Sequence, residues 1–179
     1  SVEYLFLWFA LSKLGAVEVP VNTSYKRGTL THVANLTEAE FDVFYEDYVS
    51  RIDEVESDLT HLESVAVLGD DPASAPPEAA VEYMAYEDLE SENEANPDTD
   101  LAYHDIASII MTSGTTGPSK AIQKTYSHQY FFAEQCVNLV KLTEDDVYMT
   151  GNPLFHSNAQ VLVVFPALIA GAKLCLFER

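Results

Sequence analysis

Thr112-Ser113-Gly114-Thr115-Thr116-Gly117-Pro118-Ser119-Lys120 gathers hydroxyls, glycines and a lysine into nine consecutive positions. Those residue types can wrap a polyphosphate. Glycines let the backbone approach closely and turn through φ > 0, so that successive N–H groups point at phosphate oxygens. The hydroxyls add short donors, and Lys120 adds a mobile positive charge.

The elements on either side decide what kind of phosphate loop this is. Ile106-Ala107-Ser108-Ile109-Ile110-Met111 reads as a buried strand that holds the loop rigid. In the Walker-type loop, a glycine, four residues and Gly-Lys-Ser/Thr lead into a helix. Counted from Gly114, Lys120 falls at the right place, but Ser119 stands for the second glycine and Ala121 for the hydroxyl residue. The following Ala121-Ile122-Gln123-Lys124-Thr125-Tyr126 alternates apolar and polar, which predicts a second strand. Strand–loop–strand excludes the Walker architecture.

Two further stretches complete a pattern. Asn152-Pro153-Leu154-Phe155-His156-Ser157-Asn158-Ala159-Gln160 places a histidine after an extended run. Near the start, Lys13-Leu14-Gly15-Ala16-Val17 leads to Pro20-Val21-Asn22. With Thr-Ser-Gly-Thr-Thr-Gly-x-x-Lys, these segments resemble, in order, those of the adenylate-forming superfamily: acyl-CoA synthetases, adenylation domains of peptide synthetases, and luciferases. Asn158-Ala159-Gln160 further resembles ligases of the crotonobetaine/carnitine type.

The resemblance implies an α/β fold, part of the large N-terminal domain of an adenylate-forming enzyme, with layered parallel-rich sheets and flanking helices. It implies that Thr112, Ser113, Gly114, Thr115, Thr116 and Gly117 hold the β- and γ-phosphates of ATP, and that Thr112 reaches Mg²⁺. Lys120 would neutralise charge as pyrophosphate departs. His156 would shape the carboxylate site and the thiol channel, with Asn158 and Gln160 bordering the acyl pocket. The reaction implied joins a fatty or carnitine-like acid to coenzyme A through an acyl-adenylate. A carrier-loading adenylation domain, a luciferase-like enzyme and a non-catalytic nucleotide-binding or interaction domain share the loop. Residues 1–179 are expected to be a fragment of the AMP-binding domain, without the C-terminal domain and inactive alone. Ala121 stands where the family usually has glycine, so strain is expected there if that position needs φ > 0.

Composition narrows the partners. Of the 29 acidic residues, 22 lie between Glu38 and Asp105, where Arg51 is the only lysine or arginine, and the net charge is −20. Such a surface repels nucleic acid and anionic membrane. The longest apolar stretch, Tyr4 to Leu11, is too short to span a bilayer, and it is not expected to be a signal peptide. Cys136 and Cys175 form no metal-ligand spacing, so reduced thiols and a cytoplasmic location are expected.

The remaining pattern predicts alternating helices and strands in a parallel sheet. A helix runs to Leu14 and stops at Gly15, and Val17 to Val21 is a strand. Lys26 to Asn35 and Tyr48 to Ser57 read as helices, with Phe41 to Tyr45 and Val65 to Leu68 as strands. Residues 69–100, punctuated by Pro72, Pro76, Pro77 and Pro97, read as a surface excursion with a short helix near Tyr86 to Glu90. Ser127 caps a helix to Lys141, on which Tyr130, Phe131 and Phe132 are expected to pack. Val147 to Thr150 and Lys173 to Phe177 read as strands around a helix from Ala159 to Ala170.

Overall fold

The computed structural model describes residues 1–69, 80–112 and 119–177. It divides into two compact units, one of residues 23–95 and one of residues 1–22 with 96–179.

In the unit of residues 23–95, β1 (Phe41–Tyr45), β2 (Ser64–Leu68) and β3 (Glu82–Ala85) form a parallel sheet in that order. Helix α3 (Glu46–Asp53) makes the crossover from β1 to β2, as a parallel pair requires. Val65, Ala66 and Val67 are all buried, so β2 is covered on both faces. Helix α2 (Arg27–Thr37) buries Leu30, Val33 and Ala34, and α3 buries Val49 and Ile52. The predicted helix over Tyr48 to Ser57 begins earlier and breaks into a 3₁₀ turn at Glu56–Asp58. Strand β3 was not legible among the prolines and acids around it. The turn after it, Tyr86–Leu89, is 3₁₀.

The other unit is built on α1 (Val2–Leu14), whose Leu5 and Trp8 pack with Val164, Phe9, Leu154, Phe165, Leu174 and Leu176. Trp8 stacks on Phe9 at 4.8 Å and meets Phe165 at 5.7 Å, contacts that add specific geometry to area burial. Gly15 ends α1 in the left-handed conformation, φ 74, its N–H returning to the last turn. The strand expected over Val17 to Val21 is reduced to a single parallel bridge, Glu18 to Ser108.

Strands β4 (Ile106–Met111) and β5 (Ala121–Thr125) pair antiparallel. Helix α4 (Tyr126–Val140) follows directly, capped by Thr125, whose hydroxyl accepts from the His128 N–H at 3.2 Å. The cap therefore lies two residues before Ser127. Tyr130, Phe131 and Phe132 are exposed at 51%, 55% and 45%, so they do not pack in the core as expected. Strand β6 (Val147–Met149) pairs in parallel with β7 (Lys173–Cys175). Between them, α5 (Ser157–Ala159) runs into a π-helical turn (Gln160–Val164) and then α6 (Phe165–Ala170). The one helix expected there is thus continuous but widened by an i→i+5 turn.

Candidate active site

β4 and β5 are held as a hairpin by consecutive pairs from Met111↔Ala121 to Ser108↔Lys124. The hydrogen bonds continue one step past the strands. Thr112 N–H donates to the Lys120 carbonyl at 2.9 Å, and Lys120 N–H donates to Thr112 Oγ1 at 3.2 Å. Thr112 and Lys120, nine positions apart inclusive in the motif, therefore face each other across the mouth of the loop. Lys120 is exposed. Ser113, Gly114, Thr115, Thr116 and Gly117 lie outside the described residues. Ala121 sits in regular strand pairing and is not among the non-glycine residues with positive φ, so the strain considered at that position is absent.

His156 is exposed and stands at the N-cap of α5 in extended conformation, φ −86 and ψ 132. Its N–H donates to the Pro153 carbonyl at 3.0 Å, and its own carbonyl accepts from Ala159 at 2.9 Å. The ring lies 4.7 Å from that of Phe155. Backbone bonds thus fix where the imidazole starts. No hydrogen bond joins His156 to Thr112 or Lys120 among the described residues. The next residue is tied to the hairpin: Lys124 of β5 donates through Nζ to Ser157 Oγ.

Asn158 is exposed, and Gln160 is buried at 1%. Gln160 Nε2 donates to Glu18 Oε1 at 3.0 Å and to the Tyr4 hydroxyl at 2.8 Å. Tyr4 in turn donates to Glu18 Oε1 at 2.6 Å. Glu18 is 4% exposed, and burial pushes its carboxyl up to about 7, against the pull of the Tyr4 and Gln160 hydrogen bonds and of the Lys124 charge. Burial also lowers Lys124, opposed by Glu18. Ser108, buried in β4, accepts from Gln129 of α4 at 2.8 Å.

Gln160, expected to border the acyl pocket, has its amide nitrogen bonded to Glu18 and Tyr4. Sequence reasoning passed over Glu18, Tyr4, Lys124 and Gln129 altogether. One signal was available. In Val17-Glu18-Val19-Pro20 an acid interrupts an apolar run; the fold leaves Val17 exposed but buries Glu18, and a buried acid needs partners.

Among the described residues no helix is long and apolar enough to cross a membrane. The AMP-binding enzyme family matches residues 1–179. Curated relatives include a crotonobetaine/carnitine–CoA ligase of Proteus mirabilis (strain HI4320), 31% identical over 181 residues, which cover 99% of this chain and 34% of that protein. A ligase of the same name from Escherichia coli O1:K1 / APEC is 32% identical over 189 residues, with the same coverage of 99% and 34%. The chain therefore spans about a third of the length of these relatives. Among solved structures, ATP-bound MatB from Rhodopseudomonas palustris is 26% identical with a TM-score of 0.78, over 99% of this chain and 33% of that one. The anthranilate CoA ligase AuaEII in complex with anthranoyl-AMP shares the fold at a TM-score of 0.83 and 24% identity, over 100% of this chain and 34% of that one. With a match that runs from the first residue to the last, this chain belongs to the AMP-binding enzyme family.

Proposed function

We propose that the full polypeptide carrying this chain is an AMP-forming acid–thiol ligase that makes an acyl-CoA. An oxygen of the carboxylate attacks the α-phosphorus of ATP, the bond to the β-phosphate breaks, and pyrophosphate leaves. The thiol sulfur of coenzyme A then attacks the acyl carbon and releases its proton to solvent, and AMP departs with the bonding electron pair.

The observation that carries this reading is the mouth of the β4–β5 hairpin. Thr112 and Lys120 are locked opposite each other by two hydrogen bonds at the ends of β4 and β5. Ser113, Gly114, Thr115, Thr116 and Gly117 would then present hydroxyls and N–H groups to the β- and γ-phosphates. Lys120, exposed at the rim, would offset the charge that develops on the leaving pyrophosphate. Donors fixed in advance stabilise such a transition state more than its substrate.

The donor set also fits Mg²⁺ as the nucleotide's counterion. Thr112 Oγ1 accepts the Lys120 N–H and has two lone pairs, a hard oxygen of the kind Mg²⁺ takes alongside phosphate and water. Among the described residues no cluster of three or more His, Cys, Asp or Glu is placed to hold a metal. Bound there with the nucleotide, the ion would screen the phosphates from the incoming carboxylate. His156, held at the start of α5, would shape the carboxylate site and the thiol channel. The names of the relatives favour a carnitine-like acid over a long fatty acid, and coenzyme A as acceptor.

Acid-dependent ATP–pyrophosphate exchange in the full polypeptide tests this reading, with crotonobetaine, carnitine and a series of fatty acids. Lys120→Ala should lower exchange about 10²–10³-fold. Thioester formation with free coenzyme A separates a CoA ligase from a carrier-loading adenylation domain. Absence of exchange with every acid, or an unimpaired Lys120→Ala, would sink the proposal.

A further inference from the structure

Glu18 is a costly residue at its position. Val17 and Val19 flank it, and its own carboxylate lies in the interior of the unit formed by residues 1–22 and 96–179. Its backbone is clamped to β4: Glu18 N–H donates to Ala107 at 3.1 Å, and its carbonyl accepts from Ile109 at 2.8 Å. Its side chain reaches the opposite way, to the segment that follows His156.

Two routes lead from Glu18 to that segment. The direct one is the hydrogen bond from Gln160, reinforced by Tyr4, which donates to the same carboxylate oxygen and accepts from the same amide. The indirect one is Lys124, whose charge Glu18 feels and whose ammonium donates to Ser157. The two routes grip Ser157 and Gln160, the ends of one turn. That turn begins where His156 ends.

We propose that Glu18 is a positioning residue of the adenylation site, fixing Ser157–Gln160, and so the start of α5 at His156, against the β4–β5 hairpin that carries Thr112 and Lys120. The proposal rests on the ligase reading above for its catalytic meaning, and on the geometry alone for the positioning.

The arrangement also has two states. Glu18 Oε1 receives both donors, whereas Glu18 Oε2 and Gln160 Oε1 are buried acceptors with no donor among the described residues. A proton on Oε2 turns one of these orphans into a donor and removes the buried charge. Ionisation does the reverse, and it sets the carboxylate in competition with Ser157 for the Lys124 ammonium. The groups facing Glu18 are Tyr4 from α1, Gln160 from the π-helical turn and Lys124 from β5. Ser108 of β4 and its partner Gln129 of α4 carry no charge. Lys124 is thus the charged neighbour through which a change at Glu18 passes to Ser157.

The test is a pH series of ATP–pyrophosphate exchange, about pH 5.5 to 9, on the full polypeptide with Glu18→Gln and Glu18→Ala. Glu18→Ala should lower kcat up to about 10²-fold while the KM for ATP stays within about twofold, because Glu18 displaces the site without touching nucleotide. Glu18→Gln keeps an oxygen for Tyr4 and Gln160 and adds a donor for the orphan, so it should restore kcat. Its profile should lack an inflection near neutrality that the wild type shows. A wild-type kcat in Glu18→Ala, or a Glu18→Gln profile superimposable on the wild type, overturns the proposal. If the wild type exchanges with no acid, the ligase reading falls, and the backbone amide shifts of Asn158 and Gln160 decide the positioning. They should move with pH near neutrality in the wild type and stay flat in Glu18→Gln. Flat amides in the wild type overturn the proposal as well.

Discussion

At the scale of single residues, the carboxyl of Glu18 makes folding itself depend on pH. Burial raises it from its ordinary 4.5 to about 7. The folded chain therefore holds that proton more tightly than the unfolded chain. Below about pH 4.5 both states are protonated and the group is neutral to stability. Between 4.5 and 7 only the folded state is protonated, so stability falls as pH rises; above 7 the full cost is present. The shift corresponds to roughly 3 kcal/mol. Asp42 of β1, raised to about 7 by burial, acts with the same sign, so the absolute slope belongs to neither residue alone. Urea unfolding of Glu18→Gln and the wild type at about pH 5 and pH 8 isolates Glu18. The wild type should lose more stability across that interval than the variant, and parallel losses would refute the assignment.

At the scale of elements, the end of α1 offers a sharper substitution than its core. Gly15 adopts φ +74, and a Cβ there would meet Leu101 Cδ2 at 2.9 Å and Thr99 Cγ2 at 3.2 Å. Those tips can rotate away, but the left-handed backbone cannot be relieved. Gly15→Ala should cost about 1–2 kcal/mol, read as a lower urea midpoint with an unchanged slope. An unchanged midpoint would mean that the helix end re-forms elsewhere. This helix stop was legible in the sequence because glycine is a local signal. So was the β4–β5 hairpin, where alternation in Ala121 to Thr125 distinguished a strand from a helix. Signals spread over distance were not legible. The strand over Val17 to Val21 shrank to one bridge because its neighbour, not its own propensity, determines pairing. The grip of Glu18 on Gln160 joins residues 142 positions apart, and no local pattern announces such a contact.

At the scale of the whole molecule, the acidic run is a long-range term. Within residues 23–95, Arg27 meets Glu54 at 3.3 Å with both side chains exposed, a pair worth little in water. Arg51 spends its guanidinium on the carbonyls of Thr23 and Tyr25 and on the Tyr48 ring. Repulsion among the acids therefore opposes folding and is relieved by salt. The melting temperature of the 179-residue chain should rise by several degrees between about 20 mM and 500 mM NaCl, measured by circular dichroism. Sodium sulfate at equal ionic strength controls for specific ion effects, and a flat response would show that the acids are too far apart to interact.

The π-helical turn at Gln160–Val164 has a consequence for how this segment can change over generations. An i→i+5 turn holds one residue more than the helix around it needs. Deleting that residue would let the turn relax to ordinary α-helix while β6 and α5 before it and α6 and β7 after it keep their places, because the wide turn had already absorbed the extra residue. The side chains inside the turn would be re-aimed by up to about 100° around the helix axis, Gln160 and its hold on Glu18 among them. Loss or gain of a single codon here thus re-aims the turn without rebuilding the scaffold, a step that stepwise point substitution cannot take.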